Sequence, residues 1–174
     1  MTFDPFMIHS HIYANRNGVW RGMKTPIRLL FVCHGNICRS PMAEFVMKEL
    51  LRKENVPGIE VESAALHTDE IGNDIHAGTR RKLRVEGIPF SPRAAWLLTA
   101  ERAHGYDWLI GMDRYNISDL NRLVNPEDRP KIRRLLSFAG KERDIADPWY
   151  TGDFEATYRD VRQGCQALLE MLRA

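Results

Sequence analysis

An apolar run, Ile27 to Val32, breaks into Cys33-His34-Gly35-Asn36-Ile37-Cys38-Arg39-Ser40 and then Pro41. This junction constrains the fold more than any other stretch of the chain. A continuous apolar-rich run suits a central strand of a parallel sheet, covered on both faces. Pro41 suits the first helical position, with Ser40 as the expected N-cap. The octet between them is therefore a turn that leaves a strand and enters a helix. A helix start presents unpaired backbone N–H groups and partial positive charge, which together bind phosphate readily. Arg39 follows Cys33 with five residues between them, and can add a two-pronged fork to oxygens of the same anion. The same positive field favours the thiolate form of Cys33. A phosphate cradle with a thiolate at its floor implies phosphoryl transfer through a cysteinyl-phosphate.

Plainer readings of the octet fare worse. Cys33 and Cys38 could form half of a zinc site, but no second ligand pair is apparent: Cys165 stands alone, and the histidines form no matching cluster beyond His9 and His11. A single cysteine at a strand end is often just packing. Gly35, Asn36, Arg39, Ser40 and Pro41 beside Cys33 argue against that here. Cys165 lies in an amphipathic C-terminal stretch and is read as packing.

At 174 residues the chain reads as one domain able to bury a core without disulfides or metal. A net charge of +2 with scattered basic residues gives no nucleic-acid footprint. Three cysteines, an odd number, argue against a disulfide framework and fit a reducing cytosol, so a cytoplasmic location is expected. No apolar stretch is long enough to span a membrane. The first residues carry Asp4, His9, His11 and Asn15 without an apolar core, so no secretory signal is expected there. Residues 1–24 lack sustained periodicity and read as an N-terminal extension before a domain over residues 25–174.

Beyond the octet, strands and helices alternate. A helix is expected to about Glu54, and a second strand from Gly58 through Ile59, Val61 and Ser63. A loop from Ala65 to Ile75 leads to a helix ending near Gly87, with Leu83 and Val85 as its apolar residues. Thr99 caps a short helix, and Asp107 to Met112 is the third strand. A helix from about Arg114 to Leu123 follows, then a loop marked by Pro126 and Pro130. Ile132 to Phe138 reads as the fourth strand, although Arg133 and Arg134 interrupt it. The last helix runs from about Asp153 to Leu172, with Tyr158, Val161, Cys165, Leu168, Leu169 and Leu172 on one face. This order implies a doubly wound α/β sheet with its site at the carboxyl edge of the strands. On that edge, between the fourth strand and the last helix, falls Asp147-Pro148-Trp149-Tyr150. Asp-Pro alone usually marks a turn. Beside a cysteine phosphate loop, Asp147 becomes the candidate proton donor, with Trp149 and Tyr150 as pocket walls.

The chain resembles the low-molecular-weight protein tyrosine phosphatases. The resemblance rests on Cys33-x5-Arg39-Ser40-Pro41 with Gly35-Asn36-Ile37-Cys38 inside it. Glu62-Ser63-Ala64, Met112-Asp113 with Asn116, and Asp147-Pro148-Trp149 extend it across roughly Ile27 to Leu172. It implies a four-stranded parallel sheet of order 2-1-3-4 flanked by helices, and a mechanism with no metal or cofactor. It further implies tyrosine-phosphorylated protein substrates, phosphate or sulfate as site ligands, and a monomer or weak dimer. Carried over, Cys33 resembles the nucleophile and Arg39 the ligand of the equatorial phosphate oxygens. The backbone of His34, Gly35, Asn36, Ile37 and Cys38 resembles the rest of the cradle. Ser40 resembles the hydroxyl that steadies the thiolate, and Asn36 the side chain that pins the loop. Cys38 resembles the partner of a reversible disulfide with Cys33. Asp147 resembles the general acid and base. Ser63 and Asp113 look like supporting hydrogen-bond groups.

Relatives acting on phosphoarginine tend to carry Thr where this chain has Ile37, so phosphotyrosine is favoured. Two departures from the family pattern stand out. Asp69 or a neighbour occupies the place of a usual aromatic wall, giving an acidic rim. Arg93 replaces a His that usually supports the Asn of the phosphate loop, so that support must differ. Arsenate-reducing relatives need a further cysteine pair that the chain lacks. A phosphocysteine carrier has no use for Asp147-Pro148-Trp149, and a binding module without turnover would not need Cys33, Arg39 and Asp147 together.

Overall fold

The computed structural model describes residues 26–174; the extension expected over residues 1–24 lies outside them. Strand β1 (Ile27–Cys33) alternates between two cores. Leu29, Phe31 and Cys33 face one apolar cluster, whereas Leu30 and Val32 face another. A strand buried on both faces needs apolar residues on both, which is why Leu29 to Val32 are unbroken rather than alternating, while Arg28 stands at the partly exposed start.

Helix α1 (Arg39–Lys53) follows directly, then β2 (Ile59–Ala65), α2 (Ala77–Val85) and the short α3 (Ala100–His104). Next come β3 (Trp108–Gly111), α4 (Arg114–Leu123), β4 (Ile132–Arg134), the one-turn α5 (Pro148–Thr151) and α6 (Phe154–Arg173). The sheet has four strands in the order β2-β1-β3-β4, all paired parallel, as the sequence implied. Helices α1 and α6 cover one face through Met42, Val46, Val161, Cys165 and Leu168. Ala103 of α3 and Leu120 of α4 pack on the other. The six apolar residues expected on one stripe of α6 are all buried. Cys165 is fully buried as packing, and burial raises its thiol pKa.

Four expectations need correction. Ser40 does not cap α1: the cap residue is Cys38, which makes no side-chain capping bond, and Pro41 is the third residue of the helix. The Ser40 hydroxyl is committed to the loop instead, and proline is tolerated because the first helical N–H groups have no intrahelical partner. The fourth strand stops at Arg134, and Leu135–Ala139 form a 3-10 turn. Leu135 and Leu136 are consecutive yet pack into the same apolar cluster, whereas consecutive strand residues point to opposite faces, as in β1. The Ser137 hydroxyl closes that turn by donating to the Arg134 carbonyl at 2.6 Å. The loop expected at Pro126 and Pro130 is likewise a 3-10 helix, Pro126–Lys131. Val85, expected to be apolar packing, is 73% exposed at the end of α2. Among the described residues, no helix is long and apolar enough to cross a membrane.

Candidate active site

The turn after β1 curls back on itself through Asn36, whose φ of 59° lies in the left-handed region that Asn tolerates better than most residues. Its side chain is buried and fully engaged. The amide nitrogen donates to Ser40 Oγ at 2.8 Å and to Ser63 Oγ at 2.9 Å. The Asn36 carbonyl oxygen accepts from Arg93 Nη2 at 2.6 Å. Arg93 thus supplies the support for the loop that the sequence left unassigned. Its Nη1 also reaches Glu44 at 2.6 Å and the Ser63 hydroxyl, joining α1, β2 and the segment before α3 in one network. Gly35 allows close approach: a Cβ there would lie 2.8 Å from Cγ of Glu70.

Within this turn, Cys33 Sγ lies 3.0 Å from Ser40 Oγ and 3.5 Å from Ser40 N. Cys33 and Cys38 are free and buried, and both border the same cavity. Burial, followed by the nearby Cys33 and Asp147, pushes the Cys38 thiol up to about 12, so it is neutral at ordinary pH.

Arg39 is 3% exposed. Its Nη1 donates to Asp113 Oδ2 at 2.6 Å and to the Ile145 carbonyl at 3.1 Å, while Nη2 donates to Asp147 Oδ2 at 2.7 Å. Burial alone would weaken its basicity; Cys33, Asp147 and Asp113 outweigh that and raise its pKa. Among the described residues, its Nε is buried without a hydrogen-bond partner. Such an orphan donor calls for a reason. Helix α1 likewise has no side-chain cap and no acidic residue in its first turn. Arg39 and the loop that starts the uncapped helix border one cavity, and a helix start with a buried guanidinium is a donor set that suits a tetrahedral oxyanion.

Asp147 is held over the bowl by its neighbours. Ile145 N donates to the Met112 carbonyl at 3.0 Å, and the Thr157 hydroxyl to the Ala146 carbonyl at 3.2 Å. Asp147 Oδ1 caps α5 by accepting from Trp149 N at 3.1 Å. The Asp-Pro turn and the pairing with Arg39 are therefore one arrangement, with the Asp serving both. Trp149 and Tyr150 project outward, 56% and 84% exposed. The Trp149 ring meets His76 edge-on at 5.8 Å, and His76 stacks on Phe154 at 5.3 Å.

A cavity of about 610 Å³ opens here, bordered by Cys33, His34, Gly35, Ile37, Cys38, Arg39, Asp147, Trp149 and Tyr150 among the expected residues. Asn36 and Ser40 do not border it; they lie behind the loop, 1% and 0% exposed. Asp69 and Glu70 form the acidic rim. Tyr115, in the first turn of α4, is an aromatic wall that sequence reasoning missed. Its only signal was its place two residues after Asp113.

A family model described as low molecular weight phosphotyrosine protein phosphatase matches residues 28–174. The low molecular weight protein-tyrosine-phosphatase YfkJ of Bacillus subtilis is 38% identical over 150 residues, 84% of this chain and 96% of that protein. Its crystal structure aligns with a TM-score of 0.82 at 37% identity, covering 86% of this chain and 96% of that one. SP-PTP, a low molecular weight protein tyrosine phosphatase from Streptococcus pyogenes, is 39% identical with a TM-score of 0.77, over 85% of this chain and 94% of that one. DARP, a drosophila arginine phosphatase, is 29% identical with a TM-score of 0.79, over 85% and 99% of the two chains. With a family match over most of its length and this bowl at the carboxyl edge of its sheet, the chain belongs to the low molecular weight phosphotyrosine protein phosphatase family.

Proposed function

We propose that this chain hydrolyses phosphotyrosine and related aryl phosphate monoesters through a cysteinyl-phosphate, within a domain over residues 25–174. The observation that carries this reading is the buried Arg39, whose orphan Nε and paired Nη groups frame the bowl above Cys33. The incoming dianion takes hydrogen bonds from the loop amides of His34 to Arg39 and from the guanidinium. It displaces the Asp147 carboxylate from Nη2, leaving that carboxyl free to carry a proton. Cys33 Sγ then bonds to phosphorus as the bond to the aryl oxygen breaks, and Asp147 gives its proton to the departing oxygen. In the second step Asp147 takes a proton from water, which attacks phosphorus and releases Cys33 as thiolate. The Ser40 hydroxyl at 3.0 Å stabilises that departing charge. Developing charge on the equatorial oxygens meets fixed donors, the arrangement that lowers barriers most effectively. Asp113 acts by holding Arg39, and Asn36 by holding the loop.

Trp149, Tyr150 and Tyr115 suit a flat aromatic ring above the bowl, and the apolar Ile37 borders it. Tyrosine-phosphorylated proteins are thus the proposed substrates. No step requires a metal or cofactor. Three free thiols suit a reducing compartment such as the cytoplasm. The test is a panel of phosphotyrosine, phosphoserine and phosphoarginine peptides assayed with a chelator present. Phosphotyrosine turnover should dominate and vanish in Cys33→Ser; preference for phosphoarginine would reject the substrate assignment.

A further inference from the structure

Two histidine side chains, neither used in the mechanism above, lie face to face at the rim of the bowl. The rings of His34 and His67 stack with centroids 4.2 Å apart and planes 13° apart. Their meeting follows from strand pairing. Cys33 and Ala65 are partners at the ends of β1 and β2, and the N–H groups of Leu66 and His67 both donate to the His34 carbonyl, at 3.1 and 3.0 Å. Carboxylates flank the pair. Asp69 Oδ2 lies 2.9 Å from His34 Nε2, and Asp119 Oδ2 of α4 lies 2.8 Å from His67 Nε2. One ligand atom each from His34, His67 and Asp69 lies within 4.8 Å of the other two. The side chains are 53%, 42% and 64% exposed, so burial does not explain the stacking and a hydrated ion has access.

We propose that His34, His67 and Asp69 form a binding site for a divalent transition-metal ion of the zinc class at the mouth of the phosphatase pocket. Two imidazole nitrogens and one carboxylate oxygen suit zinc or cobalt, and suit magnesium and calcium poorly, since those demand all-oxygen shells. A tetrahedral ion about 2.0–2.1 Å from each ligand atom needs those atoms about 3.3 Å apart, a modest contraction of the observed cluster. Entry replaces the His34–Asp69 hydrogen bond with two coordinate bonds. Asp119 supplies the outer carboxylate: it accepts N–H from one nitrogen of His67 and leaves the lone pair of the other for the ion. Three protein ligands leave a fourth position for water or an anion. Nothing in the hydrolysis of phosphate esters requires this ion, so the site is independent of the proposed chemistry.

The Cys33 and Cys38 thiols and the His9 and His11 side chains could also take up added metal and would confuse the measurement. The experiment therefore uses the full chain carrying Cys33→Ser, Cys38→Ser, His9→Ala and His11→Ala, with folding checked by thermal melting. Calorimetry with zinc chloride should show one ion per chain, and cobalt chloride should give the visible absorption of a tetrahedral nitrogen and oxygen site. Adding His67→Ala and Asp69→Asn together should weaken zinc binding about tenfold or more and abolish the cobalt bands, with melting temperature unchanged. No zinc binding by the parent variant at about 100 μM would overturn the proposal. So would binding that survives the double substitution.

Discussion

One guanidinium, that of Arg39, holds two acids at once. Asp113 and Asp147 each accept from a different terminal nitrogen, and their side chains are only 14% and 19% exposed. The two acids are positioned for different tasks. Asp113 also caps α4 through Asn116 N at 2.8 Å, so it is pinned from both sides. Asp147 caps only the one-turn α5 and can leave Arg39 at little structural cost. Within the proposed mechanism, this difference favours Asp147 over Asp113 as the acid that carries the proton. Asp147→Asn should therefore slow phenyl phosphate about 10²- to 10⁴-fold while slowing para-nitrophenyl phosphate far less, because a good leaving group needs little protonation. Steady-state rates across a series of substituted phenyl phosphates give the comparison. Equal losses across the series would remove Asp147 from the acid role.

At the scale of elements, the site is a junction tied together from behind. Arg93 bonds Asn36 of the phosphate loop, Glu44 of α1 and the Ser63 carbonyl of β2, the last at 3.0 Å. Its side chain is 15% exposed and that of Glu44 only 9%, so removing the arginine takes one charged partner from a nearly buried carboxylate that keeps Lys48 and the Ser63 hydroxyl. Arg93→Ala should cost about 1–3 kcal/mol of stability, and Arg93→Lys less, because it keeps the charge but cannot span the same partners. Because the bonds converge on Asn36, kcat should fall with stability, as measured by melting and steady-state assays on the same samples. Full activity in a folded Arg93→Ala protein would show that the loop holds itself. The strand-turn-helix junction was legible in the sequence because every determinant of it is local: apolar run, turn residues and proline lie within fifteen positions. Arg93 was visible only as a departure, since its partners sit on three separate elements. The early end of β4 was hidden for a similar reason. Leu135 packs against Gly164 of α6, where even a Cβ would come within 2.5 Å of the Leu135 side chain, and that closeness is a tertiary fact.

For the whole molecule, acid should loosen the fold. Glu49 is held down to about 2, chiefly by its hydrogen bond from Arg52, with Lys53 adding to it. Asp128 is also lowered: burial would raise it, but Lys131 and His104 outweigh that. A carboxylate whose folded pKa lies below the unfolded value, about 4.3 for Glu, stabilises fully above that value and loses its contribution as pH falls through the folded one. The melting temperature should therefore drop between about pH 5 and pH 2, and Glu49→Gln should differ from the parent at about pH 6 but converge with it near pH 2. A constant gap across that range would contradict the assignment. The same molecular scale explains what the sequence could and could not disclose about the site. Cys33, Arg39 and Asp147 could be singled out because the proposed chemistry calls for those residue types, and the fold brings all three to one cavity. The pairing of His34 with His67 was not, because only the parallel register of β1 and β2 brings together residues so far apart in the chain.

In the proposed mechanism the sulfur of Cys33 carries the phosphoryl group during turnover. The most direct test of that step is acid quenching of the enzyme during hydrolysis of an aryl phosphate, followed by peptide mass spectrometry. Phosphate bonded to Cys33 is the expected result, absent from Cys33→Ser. Phosphate on another residue, or a Cys33→Ser protein that still turns over, would contradict the account.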